Sequence, residues 1–600
     1  MQLSLCHLGY LPSSPKTLTL LPGAADSLPE RIPFFLRQNC LRMERDRPAE
    51  PGFSARFPSP YDLLRGPLTL QDADTAYYSG ELVQRESRWG RLWQADFSAF
   101  TTPGSYQIET DFQISPPFAI RERIYDRIIA GYLTFLRSQR CGCEVFGVHA
   151  ACHLDDGVID RDGSPWPVIG GWHDAGDFRK WLAFTQNHLD ALATVLECCG
   201  QHLADGGIAR QSLLDEISWG NLFFHGMLSA DGQVFEDVAG GRPPAGSFLS
   251  YEQDWWFENH PGCFGDASDN RWTDNLPASG DERIVRTTYN PLVQWTFVST
   301  QARVARVLPA EQAAHCLSLA RRAAAYSDRH PHDGRTLFLA AELRGRLELL
   351  ASGEPDPQAR IAQLAKDLLS RQARVSGGLS GYFLEAQEAD AYRSIAFSAE
   401  PALALLRLYE LRHLLKDSDR ADLVKDAVTA YIVQYLLADA QSNPFGLTPY
   451  GVYLDPPNRQ RQTFRDAGSG KGVRTFMHPY NAQGIVHGTS SVLLSHAHLL
   501  ARAASQFHQP SWKASAERLM QWCLGSNTLN CSLFSGIGYR QPFGYSYRIP
   551  QIPEAAVTGF IGRPDDTPYL ETTTAIEWNT LEYWSIPYIH ATQAACWLQF

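Results

Sequence analysis

The feature that most constrains the fold is a change of hydrophobic period near residue 125. Tyr125, Ile128, Ile129, Tyr132, Leu133 and Leu136 recur at helical spacing and mark one apolar face. Ala402, Leu405, Leu406 and Leu408-Tyr409 predict another helix. Trp512, Ala516, Leu519, Met520, Cys523 and Leu524 predict a further one, stopped by Gly525. The N-terminal part has a different pattern. Leu3-Ser4-Leu5 and Leu18-Thr19-Leu20 are short runs separated by Pro12 and Pro15. Residues 90–97 alternate in character, and a Pro103-Gly104 turn leads into Tyr106-Gln107-Ile108-Glu109. Short strands punctuated by Pro and Gly predict a β-sandwich. The chain therefore reads as two domains: a β domain over 1–120 and a mainly helical domain over 121–600. Gly- and Pro-rich loops fall at 240–290 and 440–475, and no repeat of fixed period is present.

The chemistry concentrates in Gly170-Gly171-Trp172-His173-Asp174-Ala175-Gly176-Asp177-Phe178-Arg179-Lys180-Trp181. Asp174 and Asp177 are three residues apart, with only Ala and Gly between them. On a loop or first helical turn this spacing points both carboxylates the same way. Two neighbouring acids can hold one water, one accepting its proton and the other orienting it. The other reading of a bare Asp-x-x-Asp is a helix start that places acids to suit the dipole. The flanking Gly-Gly-Trp-His and Phe-Arg-Lys-Trp make this string more specific than that.

The stretch resembles the signature of glycoside hydrolase family nine, the inverting cellulase family. The resemblance implies a six-hairpin α/α toroid, with Asp177 as the base that activates water and Asp174 helping to hold that water. The N-terminal part is similar to the immunoglobulin-like module that precedes some of these catalytic domains. Its marks are Leu8-Gly9-Tyr10-Leu11-Pro12 with Lys16, Asp96-Phe97-Ser98, Pro103-Gly104-Ser105-Tyr106 and Ser115-Pro116-Pro117-Phe118.

Cys141, the pair Cys152-His153, and His173 offer two thiolates and two imidazoles, a set suited to tetrahedral zinc. From the residues alone, four unrelated buried side chains is an open alternative. The resemblance implies that these four hold a structural zinc that pins the loop carrying Asp174 and Asp177.

Toward the C-terminus, Leu524–Asn527 and Ser532–Gly538 look like family segments, and Tyr545-Ser546-Tyr547-Arg548 matches a sugar-contacting one. Arg548 is retained there, while Ser546 replaces a His. Anchoring the family's acid motif on Ala575, Ile576 and Asn579 puts the acid position on Thr573. A hydroxyl cannot usefully protonate a leaving alcohol. Glu571 faces the same way two residues upstream in an extended segment, and is the expected substitute acid. Glu577 fits a helix-capping box. Trp255 and Trp256, in the long loop, are candidate sugar platforms or loop packing. Asp254, Asp266, Asp269 and Asp274 are weak calcium candidates without EF-hand spacing.

With 44% hydrophobic and 20% charged residues, the composition is that of a soluble globular protein, and the net charge of -12 argues against nucleic acid and anionic membranes as partners. Twelve Cys are too few for a disulfide scaffold, and Cys198 and Cys199 read as buried thiols. No secretory leader pattern and no membrane-spanning run is visible, so a cytoplasmic location is expected. These readings converge on an inverting hydrolase of β-linked glucan-type or amino-sugar oligosaccharides, expected to be exo-acting. The alternative is a catalytically silent sugar-binding or sensing protein on the same fold.

Overall fold

The computed structural model describes residues 1–23, 26–38, 76–239, 273–355, 357–386, 390–415, 421–477, 487–545, 552–571 and 578–599. The chain divides into two compact units, one of residues 1–86 with 90–124 and one of 87–89 with 125–600.

The first unit is a seven-stranded sheet. Its strands are β1 (Gln2–Ser4), β2 (Thr17–Leu21), β3 (Arg31–Gln38), β4 (Ala76–Ser87), β5 (Gly90–Asp96), β6 (Gly104–Thr110) and β7 (Phe118–Ile120), in the order β1-β2-β5-β4-β3-β6-β7. In β3, Ile32, Phe34 and Leu36 point inward, the alternation a half-buried strand requires. The sheet curls, and a bridge from Tyr10 to Ile120 joins the segment after β1 to β7. The sandwich expected from the Pro and Gly spacing is thus one continuous curled sheet, and it fits an immunoglobulin-like module. Strands β3 and β4 were not among the predicted runs. Lys16 is buried because its Nζ donates to the carbonyls of Pro12 (2.7 Å) and Ser14 (3.1 Å).

The second unit is helical. Its longer described helices are α1 (Asp126–Ser138), α2 (Asn187–Cys199), α3 (Arg210–Gly226), α4 (Pro291–Val304), α5 (Ala310–Arg329), α6 (Thr336–Ala351), α7 (Gln358–Ser370), α8 (Glu400–Glu410), α9 (Ala421–Ala430), α10 (Ser490–Phe507), α11 (Pro510–Cys523) and α12 (Ser585–Gln599). The predicted helices at 125–136, 402–409 and 512–524 correspond to α1, α8 and α11. Packing runs α12 to α2, α4, α6, α8, α10 and back to α12, closing an α/α barrel. These inner helices are enclosed on nearly every side, and every residue of α4 is buried. Outer helices keep a one-sided stripe, such as Ile361, Leu364, Ala365 and Leu368 on α7.

The loops are not wholly irregular. Short strands β8 (Val158–Ile159), β9 (Lys180–Trp181), β10 (Asp237–Ala239) and β11 (Ile284–Arg286) form a four-stranded sheet in the order β8-β11-β10-β9. Residues 451–474 contribute a further three-stranded sheet. Among the described residues, no helix is long and apolar enough to cross a membrane.

Candidate active site

The loop at 170–179 is built to be rigid. Gly171 has φ 75°, and a Cβ there would stand 2.6 Å from the Phe223 ring, so only glycine fits. Its carbonyl accepts from the Cys141 N–H (2.9 Å) and from Trp219 Nε1 (2.9 Å). The His173 N–H donates to the carbonyl of Gln139 at the end of α1 (2.8 Å). Below the loop, Lys180 Nζ reaches the carbonyls of Val168 and Gly170 and the Asp156 carboxylate. Asp237 on β10 receives both Arg179 (2.8 Å) and Arg286 (3.0 Å).

Asp174 is held at several points. Its N–H donates to the Arg179 carbonyl (2.9 Å), and its Oδ1 accepts from the Trp181 N–H (3.2 Å). Its carbonyl accepts from both the N–H (2.8 Å) and the hydroxyl (2.7 Å) of Ser585. Asp177 Oδ1 accepts from the Arg179 N–H (3.3 Å), which folds the chain so that Phe178 takes φ 64°. That left-handed conformation is unfavourable for a bulky residue. Here Arg283 Nη1 bonds the Phe178 carbonyl, and the Phe178 ring packs 5.2 Å from His173.

A third carboxyl belongs to this cluster, and it is Glu582. Ala175 and Trp584 form a β-bridge, and the Gly176 N–H bonds the Glu582 carboxylate. On its other flank Glu582 is bridged by Tyr545, while its carbonyl accepts from the Thr558 N–H (2.9 Å). Burial and then the negative charge of Asp177 push Glu582 well above the usual carboxylate range, against the Gly176 hydrogen bond. Asp174 is pushed well above its usual value by burial, then by Asp177. Asp177 is raised by burial but opposed by Arg179, its hydrogen bonds and Arg283. Asp174 is buried, whereas Asp177 and Glu582 keep partial exposure. Of the three, only Asp177 has two neighbouring arginines opposing its rise, so protons are held more firmly on Asp174 and Glu582 than on Asp177.

Glu571, the acid expected from the sequence, is engaged differently. Its carboxylate accepts from Tyr569 Oη (3.0 Å), and its N–H donates to Thr580 Oγ1 (3.3 Å). The carboxyl set against Gly176 and Asp177 is Glu582, which the sequence reading missed. The signal available was an acid inside the apolar run Leu581-Glu582-Tyr583-Trp584, just ahead of α12. Thr573 and Glu577 lie outside the described residues, as do Ser546, Arg548, Trp255 and Trp256.

Cys141, Cys152, His153 and His173 converge. All four are fully buried, and their ligating atoms lie within 4.8 Å of one another. Cys141 Sγ is 3.5 Å from His153 Nδ1, and Cys152 Sγ is 3.9 Å from His173 Nε2. Zinc bonds to sulfur and nitrogen at a tetrahedral angle give sulfur–nitrogen edges of about 3.6 Å. Burial lowers His173 to about 4, which leaves its imidazole neutral and able to ligate. The four residues fit a metal ion. Of the two other possible ligands nearby, His149 donates from Nδ1 to the Ala150 carbonyl (2.7 Å), and Cys143 is only partly buried.

The model of the family described as glycosyl hydrolase family 9 matches residues 125–348. A cellodextrinase of Butyrivibrio fibrisolvens is 37% identical over 94 residues, which is 14% of this chain and 17% of that protein's length. Among solved structures, a metagenome-derived glycoside hydrolase family 9 endoglucanase shares 18% identity with a TM-score of 0.67, covering 100% of this chain and 99% of the other. A zinc-binding triple mutant of another family 9 endoglucanase shares 18% identity with a TM-score of 0.63, covering 98% and 99%. These likenesses show the fold: an α/α barrel with an N-terminal β-rich domain.

Proposed function

We propose that this chain is an inverting glycoside hydrolase of β-linked glucan-type oligosaccharides. The observation that carries the reading is the coupled carboxyl set Asp174, Asp177 and Glu582. Asp177, flanked by Arg179 and Arg283, stays ionised and takes the proton of the attacking water. Asp174 orients that water, fixed by Trp181 and Ser585. Glu582, kept protonated by burial and by Asp177, gives its proton to the leaving oxygen. Inversion calls for an acid and base about 6.5–9.5 Å apart, with room for water between them. Glu582 replaces Glu571 in the acid role.

In this reading residues 1–120 are a structural, non-catalytic module and residues 121–600 the catalytic barrel. The closed run of α2, α4, α6, α8, α10 and α12 supports a toroid of six hairpins. Zinc held by Cys141, Cys152, His153 and His173 has no open coordination position, so it stabilises the loop and takes no part in proton transfer. The zinc-binding family 9 relative supports that assignment. The local similarity to a protein named as a cellodextrinase supports short β-glucan chains and exo action. Ser546 and Arg548 remain candidate sugar contacts, with Trp255 and Trp256 as platforms.

The silent sugar-binding alternative rests on Thr573 and Ser546, and Glu582 answers the first of these by offering another carboxyl. The test is product release from a panel of β-linked oligosaccharides, with the product anomer followed by NMR. Inverted product from a β-glucan supports the reading. No product at high protein concentration favours the sugar-binding alternative.

A further inference from the structure

A second acidic cluster among the described residues takes no part in the chemistry above. Asp155, Asp274 and Asp281 each place a carboxylate oxygen within 4.8 Å of the other two. Three like charges this close repel one another unless something neutralises them. A separate observation points to an occupant. Asp155 is only 6% exposed, and its Oδ2 is buried with no hydrogen-bond partner, while Oδ1 accepts from Thr273 Oγ1 (2.6 Å). A buried carboxylate oxygen without a donor is unfavourable, and a bound cation satisfies it.

We propose that Asp155, Asp274 and Asp281 bind one calcium ion. The set is oxygen only, which suits a hard cation and not zinc. Calcium–oxygen bonds allow opposite ligands to stand about 5 Å apart, whereas magnesium permits only about 4 Å. Calcium also accepts an irregular oxygen cage completed by water, whereas magnesium demands near-ideal octahedral geometry. The loop is already shaped around the site. Asp274 Oδ1 accepts from the Leu276 N–H (2.7 Å) and Ser279 Oγ (3.1 Å). Asp281 accepts from the Asp274 N–H (2.9 Å) and Ser279 Oγ (2.8 Å). Asp274 is exposed and Asp281 partly so, which leaves water to complete the coordination.

The position gives the ion a purpose. Asp155 lies two residues after His153, and Arg283 lies two residues after Asp281. Arg283 bonds Asp156 (2.6 Å), stands 3.6 Å from Cys141 Sγ and holds the Phe178 carbonyl. Calcium thus ties the 273–283 loop to the segment bearing Cys152 and His153, and through Arg283 to the backbone just after Asp177.

The test uses the full chain, freed of loosely bound calcium on a chelating resin, with zinc content measured before and after. Calcium chloride is then titrated by calorimetry, and thermal unfolding is followed with and without it. The expected result is about one calcium per chain and a higher unfolding temperature. Asp274→Asn and Asp281→Asn, both at accessible positions, should each weaken calcium binding about tenfold or more, with zinc content unchanged. Asp155→Asn should abolish the calcium-induced rise in unfolding temperature. No calcium uptake at about 1 mM overturns the proposal. So does binding that survives in all three variants, or an equal thermal shift from magnesium.

Discussion

Ser585 donates both its hydroxyl and its backbone N–H to one acceptor, the carbonyl of Asp174, at 2.7 and 2.8 Å across 411 residues of sequence. Three residues before Ser585 stands Glu582, which accepts from the Gly176 N–H. The two hydrogen-bonding points flank the Ala175–Trp584 bridge, so the acid and the Asp pair are spliced together through backbone.

Removing the hydroxyl should loosen this splice without abolishing it. Ser585→Ala keeps the N–H and should cost about 1 kcal/mol of stability. In the proposed enzyme, kcat should fall by up to about 10²-fold with KM nearly unchanged, because misplacement affects the reacting groups more than sugar binding. Ser585→Thr should restore most of the rate. An unchanged kcat in Ser585→Ala would assign the hydroxyl to stability alone.

The roles of the carboxyls separate on leaving-group chemistry. Asp177→Asn should lower turnover by roughly 10²–10⁴-fold on every substrate. Glu582→Gln should cripple cleavage of natural oligosaccharides but spare aryl glycosides with acidic leaving groups. Glu571→Gln should leave both near the wild-type rate, since Glu571 bonds Tyr569. Steady-state assays of the three variants on both substrate types decide the assignment. A crippled Glu571→Gln beside an active Glu582→Gln would reverse it.

Glu582 also makes stability depend on pH, and the sign is opposite to that of a salt-bridged acid. Burial and Asp177 raise its folded pKa well above the ordinary glutamate value of 4.5. The folded state therefore holds the proton more tightly than the unfolded chain. Stability is fully present below the unfolded value and declines as pH rises through the folded one. Glu582→Gln cannot lose that proton. Relative to wild type it should be more stable at about pH 8 than at about pH 4. Unfolding midpoints of both proteins at the two pH values check this. A variant equally destabilised at both would show that the carboxylate is not penalised by folding.

Purified protein should carry about one zinc per chain by elemental analysis. Cys152→Ser should lose it and unfold at a lower temperature. Metal-free protein with wild-type stability would remove the cluster's proposed structural role.

Much of this was legible in the primary structure because it is local. Period alone located α1, α8 and α11. The Asp174–Asp177 pair lies within four consecutive residues. Glu582 was harder, since its role depends on a β-bridge to Ala175 that no nearby residue encodes. Anchoring on Ala575, Ile576 and Asn579 shifted attention to Thr573, nine positions too early for the acid that meets Gly176. The convergence of Asp155 with Asp274 and Asp281 is invisible in the same way. More than a hundred residues separate the partners, and a folded loop brings them together.

The closure of the barrel by α12 has a consequence for the order in which the molecule matures. The loop bearing Asp174 and Asp177 leaves the ribosome some four hundred residues before Glu582 and Ser585 do. Until α12 docks between α2 and α10, the Asp174 carbonyl lacks both Ser585 donors and the three carboxyls are not yet neighbours. Contacts this distant in sequence form late. In the proposed enzyme, catalytic competence is thus acquired in a single terminal event, and a nascent or C-terminally clipped chain should be inert however well its earlier helices have folded.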